Sequence, residues 1–348
     1  MKRVVVAIDS FKGCLRSVEA NAAAAAGVHD VWPDAEVKEL TVSDGGEGFM
    51  EAFYAAIGGT IQNVRVHDPL MREVDAKYLL NGQTAVIEVA EACGLWRLKK
   101  EELNPLVATS YGVGELVLDA AKKGAKQIIV GLGGSGTSDA GMGMVEALSG
   151  HLSEKLPTLR FIIATDVNNP LCGENGAAAV YGPQKGATAE MVEELDKRAK
   201  AFAVESSQRM GVDCSQEAGA GAAGGLGYAF MQYLHAERRS GIDLLLETIN
   251  FDHLTKDADL VITGEGAADR QTLMGKLPVG ILRHAGKTPV CLIAGRISDK
   301  EALCQAGFVE AVCINPPHLA LEEAMRPDVA KHNIRSTVAR IISTRNKL

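Results

Sequence analysis

Residues 3–13 read RVVVAI followed by DSFKG, a short apolar segment that ends in a polar, glycine-containing turn. The β-branched part predicts a buried strand, and the polar part predicts the loop at its carboxyl end. A second strand is predicted at 36–42, and the same order of strand, glycine turn and helix returns at 259–263, 289–294 and 309–314. The sequence therefore predicts an open parallel sheet that is formed by both ends of the chain.

The middle of the chain predicts a second α/β domain with a different character. Asn81-Gly82 separates two alternating segments, as in a two-residue β-hairpin. Strands are predicted at 62–66, 75–80, 84–89, 126–131 and 160–165. Helices are predicted at 17–29, 46–57, 110–123, 141–149, 190–209, 221–236, 277–285, 298–306 and 318–342. The predicted class is α/β with two domains, one made of 1–61 and 255–348 and an inserted one at 62–254.

Composition excludes several classes of function. The 348 residues carry 44 acidic against 36 basic side chains, so no positive excess is present to bind a nucleic-acid backbone. No segment has the apolar length of a membrane span, and the first apolar run is too short for a signal peptide. The seven cysteines form no Cys-x-x-Cys pair, which disfavours a disulfide framework or a zinc site. A cytoplasmic protein with reduced cysteines is predicted.

Charged residues follow four predicted strands of the terminal sheet. Carboxyl ends of parallel strands meet at one edge, where open α/β sheets bind ligands, so these residues are expected to share a rim. Exposed loops also carry charge without any function, but glycine flanks the acids in three of the loops and lets the backbone approach a ligand. Carboxylates with a lysine suit a metal-chelated phosphate and a hydroxyl to be deprotonated. The rim residues are Asp9, Lys12, Asp44, Glu47, Glu265, Asp269 and Arg296.

A glycine-rich loop, GLGGSGTSDAGMG at 131–143, follows another predicted strand. Its spacing matches the dinucleotide fingerprint in form, but the acidic residue expected about 20 residues further on would have to be Asp166, which lies too late in the sequence. NAD binding is therefore disfavoured. Successive N–H groups of such a turn predict a phosphate cradle, although glycines that serve tight packing remain the alternative. The candidate phosphate contacts are Gly133, Gly134, Ser135 and Thr137, with Asp139 holding Mg²⁺ directly or through water.

Three further clusters carry polar residues or glycine. Asp166 and Asn169 follow the strand at 160–165, where they either cap a turn or bind substrate. Gln184 and Lys185 lie between proline and glycine, which suits a phosphate contact by a rigidly held lysine. The segment GAGAAGGLG at 219–227 favours close backbone packing at a helix start.

These segments together resemble the type I glycerate kinase family. They occur in family order from residue 3 to about 300, and the set is far more specific than any single motif. The matching pieces are Asp9-Ser-Phe-Lys-Gly13, Asp44-Gly-Gly-Glu-Gly48, Asp68-Pro-Leu-x-Arg72, Ile87-Glu-Val-Ala90, Asn104-Pro-Leu, Thr109-Ser-Tyr-Gly112, Gly133-Gly-Ser135, Asp166-x-x-Asn169-Pro-Leu, Gly182-Pro-Gln-Lys-Gly186, Gly219-Ala-Gly221-x-x-Gly-Gly, Gly264-Glu-Gly266, Gln271-Thr272 and Gly275-Lys276.

The resemblance implies a flavodoxin-like domain, a second α/β domain, and ATP-dependent phosphorylation of D-glycerate to 2-phosphoglycerate. One of Asp44, Asp166 or Asp269 is expected to orient or deprotonate the acceptor hydroxyl. Lys12 is also expected to be a catalytic residue. Monomer and homodimer stay open. The expected substrate contacts are Ser10, Glu47, Asn169, Glu265 and Arg296, with Lys12 as an alternative partner of the glycerate carboxylate. The expected ATP contacts are Gly133, Gly134, Ser135, Thr137, Gln184 and Lys185, with Mg²⁺ near Asp139.

The sequence departs from the family pattern in three places. Ala267-Ala268 stands where the family has Arg-Ile or Arg-Leu, the glycine loop has Gly136-Thr-Ser-Asp-Ala140 where Ala-Thr-Asn-Asp-Gly is usual, and the stretch between Leu148 and Phe161 is short. The first and third departures motivate an alternative, a ligand-binding regulator on a degenerate kinase scaffold. A kinase of a related small hydroxy acid is a further alternative.

Overall fold

The computed structural model describes residues 1–43, 45–46, 48–152 and 156–345. The chain forms two compact units, each with one sheet and flanking helices. The first unit contains 1–44, 55–57 and 242–348, and the second contains 45–54 and 58–241. These borders differ from the predicted domain borders, which stay predictions.

Eleven strands and fourteen helices are assigned within the described residues. The strands are β1 (Arg3–Ile8), β2 (Glu36–Glu39), β3 (Thr60–His67), β4 (Glu73–Asn81), β5 (Thr84–Glu88), β6 (Gln127–Gly131), β7 (Arg160–Ala164), β8 (Glu237–Arg239), β9 (Leu260–Ala268), β10 (Val290–Ile297) and β11 (Glu310–Cys313). The helices are α1 (Ser17–His29), α2 (Phe49–Ile57), α3 (Ala90–Cys93), α4 (Tyr111–Lys122), α5 (Met142–Leu148), α6 (Ala177–Tyr181), α7 (Ala189–Met210), α8 (Leu226–Leu234), α9 (Gly241–Thr248), α10 (Phe251–Thr255), α11 (Leu277–His284), α12 (Lys300–Gln305), α13 (Leu321–Ala324) and α14 (Pro327–Arg345).

The sheet of the first unit has the strand order β2-β1-β9-β10-β11, and every neighbouring pair is parallel. This is the flavodoxin-like order, so the predicted fold class is confirmed. Ile8 pairs with Gly264, and Glu265 pairs with Ala294. The three central strands therefore place their carboxyl ends side by side. Their apolar side chains pack on α1 and α14 through residues such as Ala24 and Val338.

The sheet of the second unit has the order β3-β4-β5-β6-β7-β8. Its first three strands are antiparallel, and β5 to β8 run parallel. Asn81 pairs with Thr84, so the predicted hairpin is confirmed, and its two loop residues are Gly82, whose φ is +54°, and Gln83. Helices α4, α5 and α8 cover the apolar face with residues such as Leu116 and Phe230.

Several predicted element boundaries were wrong. The helix predicted at 318–342 is broken into α13 and α14, because Pro327 has no N–H to continue a helix and stands instead in the first turn of α14. Strands β9 and β10 continue beyond their predicted ends and stay paired as far as Ala268 and Ile297. Glu265 and Arg296 therefore lie in strands, whereas the sequence placed them in loops. The polar edge strand β8 was not predicted.

Among the described residues, no helix has both the length and the apolar character to cross a bilayer. All seven cysteines are free thiols.

Candidate functional site

A glycine turn in the second unit, residues 132–138, starts where β6 ends, within the parallel part of the sheet. Gly133 donates its N–H to the carbonyl oxygen of Gly45 at 3.0 Å. A Cβ on Gly133 would lie 2.3 Å from the Cα of Gly46, a distance that no side chain can occupy. Glycine is therefore required at 133 because two backbone segments approach each other there.

The turn presents several N–H groups that have no acceptor among the described residues. Within the described residues, the backbone N–H groups of Gly134, Thr137 and Ser138 find no acceptor. The hydroxyl of Ser138 is buried and also has no partner there. Gly134 is exposed, but Thr137 and Ser138 are buried, and buried polar groups in proteins are nearly always hydrogen-bonded. Donors grouped in this way are suited to an anionic ligand.

The segment after α3 holds one side of the turn in place. Gly136 donates its N–H to the Cys93 carbonyl at 2.7 Å, and Leu95 donates its own to the Gly134 carbonyl at 2.9 Å. These two bonds form a short antiparallel bridge between Gly94 and Ser135. The turn is thus fixed by backbone pairing, and it is pre-organised for a ligand.

Lys185 lies beneath this turn and is buried, although Gln184 next to it is exposed. Its Nζ donates to Ser135 Oγ at 3.0 Å and to the Thr137 carbonyl oxygen at 2.6 Å. Burial lowers the pKa of Lys185 to about 8. The predicted contact of Lys185 with ATP stays a prediction, but the ammonium is already bonded to the turn.

Asp139 follows the turn and organises the start of α5. Its Oδ2 accepts hydrogen bonds from the N–H and hydroxyl of Ser110 and from the N–H of Gly143, and its Oδ1 accepts one from Gly141. The part of the chain that the structure describes contains no group of three or more His, Cys, Asp or Glu side chains arranged for a metal. The assignment of Asp139 to Mg²⁺ stays a prediction, and a contact through water is the form that fits a carboxylate with four donors.

Asp166 and Asn169 lie beyond the end of β7, the strand next to β6. Asp166 is half-buried. The Asn169 side chain accepts the Tyr181 hydroxyl at 2.6 Å and donates to the Asn175 carbonyl at 2.8 Å, so its amide supports the loop. The segment at 219–227 packs closely against its surroundings at the start of α8, as predicted.

The first unit gathers a second set of predicted residues at the carboxyl edge of its sheet. Ser10 and Lys12 follow β1, Glu265 lies on β9 and Arg296 lies on β10, so three adjacent strands supply them. Lys12 and Arg296 are exposed and Ser10 is half-buried. Glu265 is 8% exposed. Two cations and a hydroxyl are therefore accessible beside a buried carboxylate.

Thr272 and Lys276 complete the surroundings of Glu265, and neither was assigned a role from the sequence. The Thr272 hydroxyl donates to Glu265 Oε1 at 2.6 Å and accepts the Asp269 N–H at 3.0 Å. Lys276 Nζ lies 3.6 Å from Glu265 Oε2. Burial raises the pKa of Glu265, and the hydrogen bond from Thr272 and the charge of Lys276 oppose this only in part. The sequence signal for this pair was that both residues belong to pieces that match the family pattern, Gln271-Thr272 and Gly275-Lys276.

We expect Glu265→Gln to change the pH dependence of stability. A carboxyl whose folded-state pKa is raised contributes most stability below its unfolded pKa and loses that contribution as the pH rises through the folded value. The variant should therefore gain stability relative to the parent between about pH 4 and pH 7. Urea unfolding at both pH values measures the difference, with Glu301→Gln on exposed α12 as the control. A difference that does not vary with pH would contradict the environment described for Glu265.

Two predicted site residues, Asp44 and Glu47, lie outside the described residues. Their assignments as catalytic and substrate-binding stay predictions from the sequence. Their glycine neighbours Gly45 and Gly46 contact Gly133 of the turn.

Comparison with known proteins places the chain in a family. The model of the Glycerate kinase family matches residues 4–156 and 149–346. A glycerate kinase of Bacillus subtilis (strain 168) is 40% identical over 92% of both chains. The glycerate 2-kinase of Escherichia coli (strain K12) is 38% identical over 97% of this chain and 98% of its own.

A solved structure supports the same relationship. The crystal structure of a protein described as glycerate kinase 2 from Salmonella typhimurium LT2 matches with a TM-score of 0.84 and 37% identity, over 99% of this chain and 98% of that one. Matches of this identity over nearly the whole length, together with the family model, confirm the resemblance that the motifs predicted. The chain is therefore an enzyme that belongs to the glycerate kinase family.

Proposed function

We propose that the protein transfers the γ-phosphoryl group of ATP to the C2 hydroxyl of D-glycerate, giving 2-phosphoglycerate and ADP. The observation that carries the nucleotide part is the turn whose N–H groups at Gly134, Thr137 and Ser138 have no acceptor in the part of the chain that the structure describes. Backbone amides of this kind bind phosphate oxygens. The name of the Escherichia coli relative, a glycerate 2-kinase, supports the acceptor and its position.

The nucleotide phosphates are expected to bind at Gly133, Gly134, Ser135 and Thr137. The exposed Gln184 is expected to be a further ATP contact. Mg²⁺ bound with a nucleotide usually keeps several waters and needs only one or two protein carboxylates. Asp139, through water, is the residue we assign to it. When bound, the ion neutralises charge that develops on the phosphate oxygens.

The acceptor is assigned to the carboxyl edge of the sheet in the first unit. Ser10, Lys12 or Arg296 would bind the glycerate carboxylate, since a guanidinium or an ammonium pairs well with it. In the transfer step the bond between the γ-phosphorus and the bridging oxygen breaks and a bond to the glycerate oxygen forms. ADP keeps the bridging electron pair, and the hydroxyl proton passes to one of Asp44, Asp166 or Asp269.

A kinase assay tests the proposal. ADP release is measured with ATP, Mg²⁺ and D-glycerate, with L-glycerate and other small hydroxy acids as controls. NMR of the product then shows which carbon carries the phosphate. ADP release with phosphate on C2 is expected. Stabilisation by ATP without ADP release would favour the regulatory alternative, and phosphate on C3 would contradict the proposed product. A cytoplasmic location belongs to the same proposal.

A further inference from the structure

The ammonium of Lys185 is unusual among the lysines of the described chain. Its side chain is 2% exposed. Burying a charge is costly unless it is paired, yet the ion pairs between described residues do not include this lysine. Both of its bonds go to neutral acceptors of one short turn, Ser135 Oγ and the Thr137 carbonyl. An unpaired buried charge of this kind lowers stability and is typical of residues at functional sites.

We propose that Lys185 is a positioning residue for the nucleotide: its ammonium fixes Ser135 and Thr137 and places one positive charge beside the turn, without itself being exposed to solvent. This inference rests on the proposed function, since it assigns ATP to that turn. It differs from a direct lysine–phosphate contact because two of the three ammonium hydrogens are already used within the protein.

The ammonium can act through both geometry and charge. Ser135 takes part in the bridge with Gly94, while Thr137 carries one of the unused N–H groups. Holding these two residues keeps the donors in one arrangement before ATP arrives, so that less ordering remains to oppose binding. In a water-excluded setting the buried charge also attracts phosphate more strongly than an exposed lysine would.

The affinity for ATP is therefore expected to depend on pH. The titratable groups whose charge acts on the ammonium are the Cys93 thiol and the Asp139 carboxylate, and neither forms a hydrogen bond or ion pair with it among the described residues. Burial raises the pKa of Cys93 to about 12, so the thiol stays neutral below that range. The pKa of Lys185 is about 8 without ligand, and bound phosphates raise it by favouring the charged form. Deprotonation above this range should weaken ATP binding.

The first experiment compares Lys185→Met with Lys197→Met, a control at an exposed position of α7. We expect the Kd and KM for ATP to rise about 10- to 100-fold in Lys185→Met, because the variant loses two hydrogen bonds from a charged group that hold the turn in place. The KM for D-glycerate should change little, and Lys197→Met should match the parent. Equal losses in both KM values, or an unchanged Kd for ATP in folded Lys185→Met, would overturn the proposal.

A measurement on the parent protein keeps the test valid if Lys185→Met does not fold. The Kd of the parent for ATP, measured from about pH 7 to about pH 9.5, should rise with pH, and a flat profile would overturn the proposal. Where Lys185→Met does fold, a double-mutant cycle with Ser135→Ala should show losses in ATP affinity that overlap and do not add, because both variants remove the bond between Lys185 Nζ and Ser135 Oγ. Fully additive losses would overturn the proposal. The parent's kinase assay is run first, so that failure to bind ATP at all is assigned to the proposed function and not to Lys185.

Discussion

Gly224→Ala is expected to lower the free energy of unfolding of the second unit by several kcal/mol, because the added methyl group has no space. Gly224 has a φ of +69°, and a Cβ there would lie 1.9 Å from the Thr137 carbonyl oxygen and 2.8 Å from the Ser138 Cα. Both neighbours are backbone atoms of the segment that leads from the turn, so they cannot rotate away as a side chain could. The strain of a left-handed alanine adds to this clash, and together they should cost about 2–5 kcal/mol of unfolding free energy.

Gly211→Ala separates the two contributions. Gly211 has a φ of +72° at the end of α7, and a Cβ there would meet nothing within 4 Å. This control should lose only about 1 kcal/mol, the conformational part. Urea unfolding of both variants measures the difference, and ATP binding to folded Gly224→Ala should be weakened because Thr137 and Ser138 must move. Equal stability of the two variants would contradict the close contact.

The sequence was most informative where local chemistry decides the structure. The apolar β-branched segment at 3–8 forms β1 with its predicted bounds, and Asn81-Gly82 forms the hairpin, since each depends on few neighbours. The same is true of glycine: close packing at 219–227 could be inferred because no other residue tolerates it.

The sequence was least informative where tertiary pairing overrides local preference. Glycines near 264–266 and 295 looked like the ends of strands, but the pairing of β9 with β10 extends both strands through them. This extension places Glu265 in a strand, where its burial could not be read from its neighbours. The burial of Lys185 was hidden for a similar reason, because its partner Ser135 lies 50 residues away in the chain.

Among the three candidate aspartates, we expect one Asp→Asn variant to lower kcat by about a hundredfold or more, the usual scale of acid–base catalysis. The variants are Asp44→Asn, Asp166→Asn and Asp269→Asn, with Asp257→Asn as an exposed control. An amide cannot accept the hydroxyl proton, but it keeps the size and much of the hydrogen bonding of the carboxyl.

The variants Asp269→Asn and Asp166→Asn are expected to behave differently, because the two aspartates have different local structure. Asp269 Oδ1 accepts the Gln271 N–H at 2.7 Å, so part of any loss in Asp269→Asn should appear as lower stability. Asp166 lies beyond the end of β7 in the unit that carries the turn, so Asp166→Asn tests a catalytic role beside the proposed nucleotide site. The base should be the aspartate whose replacement lowers kcat with little change in the KM for ATP and also removes the acidic limb of the pH–rate profile. Near-normal turnover in all three variants would show that the proton leaves by another group, for which the buried Glu265 would be the next candidate, since its raised pKa favours proton binding.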